Sequence, residues 1–368
     1  MIRAVLNNEI LSIIGRIDEH RFELNGIQIP PAIQTRLRKN SRKRSSYASN
    51  RIEGNPLTEK QAEEAIDADP HRHFLRPEEE VRNYVQAMQL LETERKANIP
   101  FSVPLLLRVQ ALVEQGASAE KNGLRGPMPP GFLFAVYDAE SGAPEYIPPE
   151  YPDVPNLLRE LEEYVRSTDD HPLIVAAIVH YQLVTIHPFE DGNGRTARLM
   201  SGYILDCAGY GFGGIGSLEE YFAYDPAEYY RSLQMDLPPL YYAGRNDPPH
   251  PEIWITYFLR MVELYAARTC ALGKTSVQDL LTTGLSHLKS KERAFLLFLL
   301  KNNYSEFSPI SISLLTGESN RTVINRCSRL VTAGFLVPAS GQLRIRTYLC
   351  TDLTLQNRVK LLRLLKKS

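Results

Sequence analysis

The sequence predicts a mainly α-helical protein with short β-hairpins. Residues 173–186 are apolar on nearly every face, as expected of a helix buried at the centre of a bundle. A second helix is indicated after residue 194, where apolar side chains recur at helical spacing. These are Leu199, Met200, Tyr203, Ile204 and Cys207. Residues 286–368 alternate short helical segments with turns, which predicts a separate, small domain at the end of the chain.

The length of 368 residues predicts two or three domains. We expect an N-terminal helical region at residues 1–105, a core at 106–270, a small domain at 285–350 and a basic helix or tail at 351–368. Charged residues interrupt residues 1–17, so we expect no signal peptide, no membrane contact and a cytoplasmic location. The four cysteines are widely spaced without a Cys-x-x-Cys pair, which predicts reduced, mostly structural thiols with no zinc site and no disulfide framework.

Residues 187–198 read His-Pro-Phe-Glu-Asp-Gly-Asn-Gly-Arg-Thr-Ala-Arg and concentrate several kinds of chemistry. His187 is a base suited to neutral pH, and Asp191 is an oxygen ligand suited to magnesium. The Gly-Asn-Gly turn precedes a predicted helix, whose N-terminal amides favour phosphate. Arg195 and Arg198 share a helical face, where they can grip the outer phosphates of a nucleotide. The segment therefore predicts a phosphate-transfer site.

The same segment resembles the signature His-x-Phe-x-Asp/Glu-Gly-Asn-Gly-Arg-x-x-Arg of Fic-domain proteins at every fixed position. The resemblance implies a helical bundle with a β-hairpin flap. It also implies transfer of AMP from ATP, with Mg²⁺, to hydroxyls of target proteins. His187 would be the base and Asp191 the magnesium ligand. The motif residues expected to bind ATP are Gly192, Asn193, Gly194, Arg195 (β-phosphate), Thr196 and Arg198 (γ-phosphate). The competing interpretation is a plain helix start with a buried histidine and surface arginines.

A second segment resembles a regulatory motif of the same family. Residues 45–56 end a basic helix at Gly-Asn-Pro, which is a strong helix stop. Ser49-Asn-Arg-Ile-Glu53-Gly fits the family's inhibitory pattern Ser/Thr-x-x-x-Glu-Gly/Asn. The resemblance implies that Glu53 pairs with Arg198 and so denies it to the γ-phosphate. The alternative is an ordinary helix end with an exposed glutamate.

Two further features belong to the predicted core. Residues 131–147 read as strand, turn and strand before a double proline, which predicts a hairpin where the family has its flap. Val136 on this hairpin is expected among the ATP-binding residues. Tyr229 and Tyr230 resemble the tyrosines that border the adenine, although core packing would explain them equally well. Leu237 stands where the family often has an asparagine.

Charge is segregated along the chain. Residues 286–368 carry fourteen Lys and Arg against four acids, a net charge of +10, whereas the whole chain carries −1. The rest of the chain therefore carries −11. Three helical stretches are followed by Phe-Leu-Val, a Pro-Ala-Ser-Gly turn and a second strand ending at Tyr348. Three helices and a hairpin predict a winged helix-turn-helix.

The sequence does not decide whether this basic segment binds nucleic acid or protein. The residues expected to face a DNA groove are Arg321, Asn325, Arg326 and Arg329, with Arg344 and Arg346 touching phosphate from the wing. The alternative is a protein-contact module. For the whole chain, the rival to a self-inhibited AMP-transferase is a DNA-binding regulator whose core senses nucleotide, and removal of AMP from modified targets is a further alternative. Protein substrates and a homodimer are the other expected partners.

Overall fold

The computed structural model describes residues 1–116, 123–132, 134–137, 142, 144–237, 247–339 and 347–367. The chain divides into a larger unit, Met1–Leu24 with Thr35–Cys270, and a smaller unit, Asn25–Gln34 with Ala271–Ser368. The expected boundary near residue 105 falls inside the larger unit. The segments 285–350 and 351–368 lie together in the smaller one.

The fold is mainly helical, as the sequence predicts. The elements that begin before residue 271, labelled over the described residues, are α1 (Asn8–Asn25), α2 (Pro31–Ile52), α3 (Glu59–Asp67), α4 (Arg76–Lys96), α5 (Val103–Val113), β1 (Val136–Tyr137), β2 (Pro144–Tyr146), α6 (Val154–Ser167), α7 (Pro172–Ile186), α8 (Asn193–Cys207), α9 (Glu219–Phe222), α10 (Pro226–Gln234) and α11 (Pro251–Ser286). The 36-residue helix α11 crosses the boundary between the units.

Helix α7 forms the centre of the larger unit. Thirteen of its fifteen residues are buried, on every face, which confirms the prediction from its apolar sequence. Helix α8 packs along it, and α4, α5 and α6 surround the pair. Trp254 on α11 is fully buried and donates its indole N–H to the Ala177 carbonyl at 2.7 Å. The connection between α7 and α8 is therefore held on a rigid scaffold.

Helix α2 delivers the predicted regulatory segment. It ends at Ile52, and Gly54 follows with φ of 82°, a left-handed conformation that favours glycine. The N–H groups of Gly54 and Asn55 close the end of the helix onto the Arg51 and Asn50 carbonyls. Ser46 and Ser49 are fully buried polar residues on this helix. Their burial shows that α2 is packed into the larger unit by a polar face.

The predicted hairpin is present as two short strands. β1 and β2 pair antiparallel, with Val136 opposite Tyr146. The strands are shorter than expected, and most of the turn at residues 138–143 lies outside the described residues. Tyr146 anchors the hairpin, since its hydroxyl donates to the Thr185 carbonyl of α7 at 2.6 Å.

The smaller unit contains α12 (Ser290–Lys301), β3 (Glu306–Phe307), α13 (Pro309–Thr316), α14 (Asn320–Thr332), β4 (Leu336–Pro338), β5 (Tyr348–Cys350), α15 (Asp352–Gln356) and α16 (Arg358–Lys367). The strands form a sheet of order β3-β5-β4, with both pairings antiparallel. The three helices and the last two strands occur in the predicted order. β3 is an additional strand that the sequence did not indicate. The assignment as a winged helix-turn-helix stays a prediction.

A search of the described helices found none with enough length and apolar character to cross a membrane. The cytoplasmic location expected from the sequence stays a prediction.

Candidate functional site

The predicted motif forms the tight connection between α7 and α8. His187 ends α7 in a left-handed conformation, with φ of 49° and ψ of 60°. At the other end of the loop, the Asn193 side chain makes two hydrogen bonds to the backbone of Phe189. Its Oδ1 accepts from the Phe189 N–H at 3.0 Å and its Nδ2 donates to the Phe189 carbonyl at 2.9 Å. The Asn193 side chain thus shapes the loop, a positioning role that complements the expected contact with ATP.

Gly192 is required by both conformation and space. Its φ is 79°, and a Cβ there would lie 2.6 Å from Oε1 of Glu114. The next residue begins α8, so the N-terminal amides of this helix open onto the loop. Unpaired amides and the helix dipole make such an end favourable for anions.

The His187 ring is half-buried and oriented for proton transfer. Its Nδ1 lies 3.3 Å from the Val184 carbonyl, so Nδ1 is the donor and Nε2 carries the lone pair. Burial lowers the pKa of His187 to about 4, and the charge of Arg125 acts in the same direction. Arg125 also holds this end of α7, since its Nε donates to the His187 carbonyl at 2.8 Å. The imidazole is therefore neutral near pH 7 and able to accept a proton.

Arg198 is held by the end of α2. Its Nη2 lies 2.6 Å from Oε1 of Glu53 and donates to the Ser49 carbonyl at 3.0 Å, and its Nε donates to Ser49 Oγ at 2.8 Å. Burial alone would lower the pKa of Arg198, but the charge of Glu53 raises it above its usual value. The structure thus brings together the three residues of the predicted inhibitory interaction.

The Glu53 carboxylate also lies against the start of α8. A Cβ at Gly194 would collide with Oε1 of Glu53 and would lie 3.2 Å from Nη1 of Arg198. A carboxylate at this position meets the positive end of the helix dipole and a buried guanidinium together. Glu53 therefore lies where an anionic ligand of this loop would lie.

Arg195 is surrounded by carboxylates. Its Nη2 lies 2.8 Å from Glu114 and 3.3 Å from Asp191, and its Nη1 lies 4.0 Å from Glu80. Burial raises the pKa of the Glu114 carboxyl, while the charge of Arg195 opposes this shift. Arg76 approaches Asp191 from the other side, with its Nη2 at 3.3 Å from Oδ2. The expected metal ligand is therefore flanked by two guanidinium groups.

Several buried polar atoms at the start of α8 and at the end of α5 lack a hydrogen-bonding partner within the part of the chain that the structure describes. They are Glu114 Oε2, Arg195 Nε, Thr196 Oγ1 and Arg198 Nη1. Leaving a buried polar group unpaired costs about 1–3 kcal/mol. Three of these atoms are donors, which is the set that phosphate oxygens would satisfy. Three of them lie in the first two turns of α8, which makes this helix start a candidate anion site.

The two tyrosines expected at the adenine lie in different environments. Tyr229 is 1% exposed, and its hydroxyl lies 2.8 Å from Nε2 of the buried His180. It packs within an aromatic cluster that includes Trp254, which is the packing role that the sequence left open. Tyr230 is 44% exposed, and its hydroxyl donates to the Ile52 carbonyl at 3.4 Å. Contact of either tyrosine with adenine stays a prediction.

The hairpin segment contacts His187, the expected catalytic base, through an aromatic ring. The ring centroids of Phe134 and His187 are 5.9 Å apart, and the guanidinium of Arg125 lies 4.8 Å from the Phe134 centroid. Val136 follows two residues later on β1 and is half-buried. Its expected role in binding ATP stays a prediction.

The residues expected to contact DNA lie on α14 of the smaller unit. Arg326 makes a two-point ion pair with Glu318, at 2.5 and 2.6 Å, and Nε of Arg329 lies 3.4 Å from Glu292. Arg321 and Asn325 are exposed. Arg344 and Arg346 lie outside the described residues. Two of the four side chains predicted on this helix are thus committed to acids within the chain.

Sequence reasoning missed Glu114 and Arg76. Glu114 follows the last residue of α5, and Arg76 is the first residue of α4. A negative charge at a helix C-terminus and a positive charge at an N-terminus both oppose the helix dipole. Each residue contradicts its local preference, and each contacts the site. That conflict was the available signal.

The geometry agrees with the comparisons. Residues 100–205 match the sequence model of the Fic/DOC family. The proteins named protein adenylyltransferase Fic from Nematostella vectensis and Drosophila virilis are each 29% identical over 208 residues. These alignments cover 54% and 53% of this chain, and 45% and 39% of the relatives. The chain thus spans less than half the length of these relatives.

Solved structures share the fold. A Fic family protein from Desulfovibrio desulfuricans matches with a TM-score of 0.60 and 22% identity, over 96% of this chain and 98% of the other. Fic-1 from C. elegans (aa134–508) matches with a TM-score of 0.56 and 25% identity, over 73% of each chain. The motif at residues 187–198 lies inside the region that matches the Fic/DOC family model, so residues 100–205 form a Fic domain.

Proposed function

We propose that this protein transfers AMP from ATP to hydroxyl groups of Ser, Thr or Tyr in other proteins. The observation that carries the proposal is a neutral imidazole beside the start of α8, where buried donors lack a partner among the described residues. These are His187, whose Nε2 carries the lone pair, and Arg195, Thr196 and Arg198. A base and an anion site in one loop are the two requirements for transfer of a phosphoryl-type group to a hydroxyl. The names of the matched relatives support the same activity.

In the proposed reaction, Nε2 of His187 takes the proton of the target hydroxyl as its oxygen attacks the α-phosphorus of ATP. A bond forms from the target oxygen to phosphorus, and the bond from phosphorus to the bridging oxygen breaks. Pyrophosphate leaves with the electron pair. Arg195 and Arg198 would hold the β- and γ-phosphates, and the amides at Gly192–Gly194 would hold the α-phosphate.

A divalent metal fits the residues present. Asp191 offers a partly exposed carboxylate beside the loop, with side-chain exposure of 29%. Mg²⁺ is commonly bound by one or two carboxylates together with phosphate oxygens and water. We assign Asp191 as the protein ligand, and the metal would neutralise phosphate charge.

In the proposed resting state, Glu53 substitutes for a phosphate. Its carboxylate pairs with the guanidinium of Arg198 and lies against the start of α8. These are the two groups that the γ-phosphate would need. Ser49 holds the same guanidinium from α2. ATP must therefore displace Glu53 before it can bind with all three phosphates in place.

The transfer itself is tested by labelling. The protein is incubated with a mixture of candidate acceptor proteins, magnesium and ATP labelled at either the α- or the γ-phosphate. We expect label on protein from α-labelled ATP alone, and no label with His187→Ala. His71→Ala is a matched control, because His71 is an exposed histidine between α3 and α4. Transfer of the γ-label, or undiminished transfer by His187→Ala, would disprove the proposal.

For the smaller unit we propose protein contact instead of DNA binding. Arg326 and Arg329 are held by acids of the chain. In addition, large apolar side chains of α13 and α14 are exposed: Ile310, Leu314, Leu315 and Ile324. Exposed apolar patches of this kind are typical of protein interfaces, whereas nucleic-acid surfaces are polar and basic.

A further inference from the structure

A second group of ligand-type side chains lies in the larger unit, apart from the α7–α8 loop. His20 and Glu23 are one turn apart on α1, and Cys270 lies on α11. One donor atom from each residue lies within 4.8 Å of the other two. Cys270 is 2% exposed, and its Sγ lies 3.0 Å from Oε2 of Glu23.

The imidazole of His20 supplies an independent observation. Its Nδ1 is buried and makes no hydrogen bond to any residue that the structure describes. A buried ring nitrogen without a partner is costly, and native proteins satisfy such atoms with protein, water or an ion. His20 is a member of the donor group, so an ion bound through Nδ1 would satisfy this nitrogen.

We propose that His20, Glu23 and Cys270 bind a zinc ion. A thiolate, an imidazole nitrogen and a carboxylate oxygen form a mixed set that suits Zn²⁺, whereas Mg²⁺ and Ca²⁺ prefer oxygen alone. Three protein ligands leave a fourth tetrahedral position for water. Binding forms a bond from sulfur to zinc and releases the thiol proton to solvent.

The geometry requires a small adjustment. Donors on a tetrahedral zinc ion, with bonds of about 2.0–2.3 Å, are separated by roughly 3.3–3.8 Å. The donors here are within 4.8 Å, so they must close by about 1 Å. Glu23 is exposed and can supply this movement by a change of rotamer. The bound ion would clip α1 to α11 near Leu24 and Cys270, the residues at which the larger unit ends on each helix.

The spacing of the ligands along the chain explains why the sequence does not indicate this site. Zinc motifs are recognised by pairs of Cys or His a few residues apart, whereas His20 and Cys270 are brought together only by the packing of α1 on α11. The expectation of no zinc site came from local spacing alone, and this proposal departs from it.

The test is a cobalt titration of the full chain after treatment with a chelator. Co²⁺ bound to a thiolate gives a charge-transfer absorption, and we expect this band to saturate at one ion per chain and to disappear when Zn²⁺ is added. Cys270→Ser should abolish the band, and Glu23→Gln should weaken Co²⁺ binding at least tenfold. Cys207→Ser is the matched control and should leave the band unchanged, because Cys207 lies on α8.

Each outcome decides the proposal. No band with the native sequence, or an equal band with Cys270→Ser, would overturn it. If Cys270→Ser does not fold, Glu23→Gln with unchanged Co²⁺ affinity would overturn it as well. A zinc-dependent rise in melting temperature that is lost in Glu23→Gln would support it independently of absorption. None of these readouts depends on AMP transfer, so they separate this inference from the proposed function.

Discussion

Oε1 of Glu53 lies 2.6 Å from Nη2 of Arg198, and the Arg198 side chain is 1% exposed. A hydrogen bond to a charged group in such a setting contributes about 1.5–3 kcal/mol. The same carboxylate lies against the backbone of Gly194 at the start of α8. One side chain from α2 thus engages both groups that would receive the outer phosphate of ATP.

Glu53→Gln should raise AMP transfer. The substitution keeps the shape of the side chain and removes the charge, so Arg198 becomes available to the γ-phosphate. A loss of about 1.5–3 kcal/mol of competing interaction corresponds to a gain of roughly ten- to a hundredfold. The initial rate of α-label transfer measures it, with Glu63→Gln on the exposed face of α3 as the matched control. An unchanged rate for Glu53→Gln at ATP concentrations well below saturation would mean that the α2 terminus is a plain helix end.

Arg198 tests the same pair from the other side. Arg198→Ala should lower transfer whether or not Glu53 is present, because the γ-phosphate loses its guanidinium in both backgrounds. The gain from Glu53→Gln should therefore largely vanish in the double variant. The interaction free energy between the two residues should be on the order of 1 kcal/mol or more, as is typical of residues in contact. Rate constants of the four proteins supply the cycle. Additive effects would show that the two residues act independently.

Arg76→Gln should strengthen metal binding. The guanidinium of Arg76 lies 3.3 Å from Oδ2 of Asp191, where it competes with a divalent ion for the same carboxylate. The Arg76 side chain is half-exposed, so the pair is screened by water, and a gain of up to about fivefold in affinity is expected. Mn²⁺ binding by electron paramagnetic resonance measures it without any reaction. Arg72→Gln, which removes a pair with Glu78 at the same helix, is the control. Weaker Mn²⁺ binding by Arg76→Gln would contradict the competition.

Duplex DNA should show no tight, salt-sensitive binding to this protein. Each phosphate neutralised by a protein cation releases counterions, so genuine DNA binding weakens steeply as salt rises. Of the predicted contacts on α14, Arg326 and Arg329 are each paired with an acid, Arg329 at the surface, and Arg321 and Asn325 are exposed. Gel shifts over a range of salt, with Arg321→Ala as the comparison, test the expectation. A shift at low salt that Arg321→Ala weakens would restore the DNA interpretation.

The sequence predicted those parts of the site that depend on neighbours in the chain. The loop from His187 to Arg198 is local, since the glycines, the clasp by Asn193 and the start of α8 lie within twelve residues. The helix end before Glu53 was predicted equally locally, from Gly-Asn-Pro, and Arg198 was expected as its partner from the family resemblance. Glu114 and Arg76 were missed because their roles arise from helix packing across more than 75 residues of chain. Tertiary contacts of that kind override local preference and leave no periodic pattern.

The fold shows the same division. Helix α14, Asn320–Thr332, is one of the three helical stretches predicted before the last two strands, because a Ser cap and an amphipathic face define it locally. β3 was missed since its two residues become a strand only by pairing with β5. A two-residue strand has no alternation to detect.

The pH dependence of transfer should reveal the lowered pKa of His187. The base must be neutral, so activity is lost as pH falls through its pKa. At a pKa of about 4 the rate should stay nearly constant from pH 8 to 5.5, whereas an unshifted histidine at about 6.5 would lose roughly tenfold by pH 5.5.

The measurement is kcat/KM for ATP with Glu53→Gln, because this ratio reports the free enzyme. Glu53 raises the pKa of His187, so its removal moves the acid limb to still lower pH. Circular dichroism at each pH separates loss of the base from loss of the fold. A tenfold decline by pH 5.5 in protein that is still folded would show that the ring is more hydrated than its burial implies.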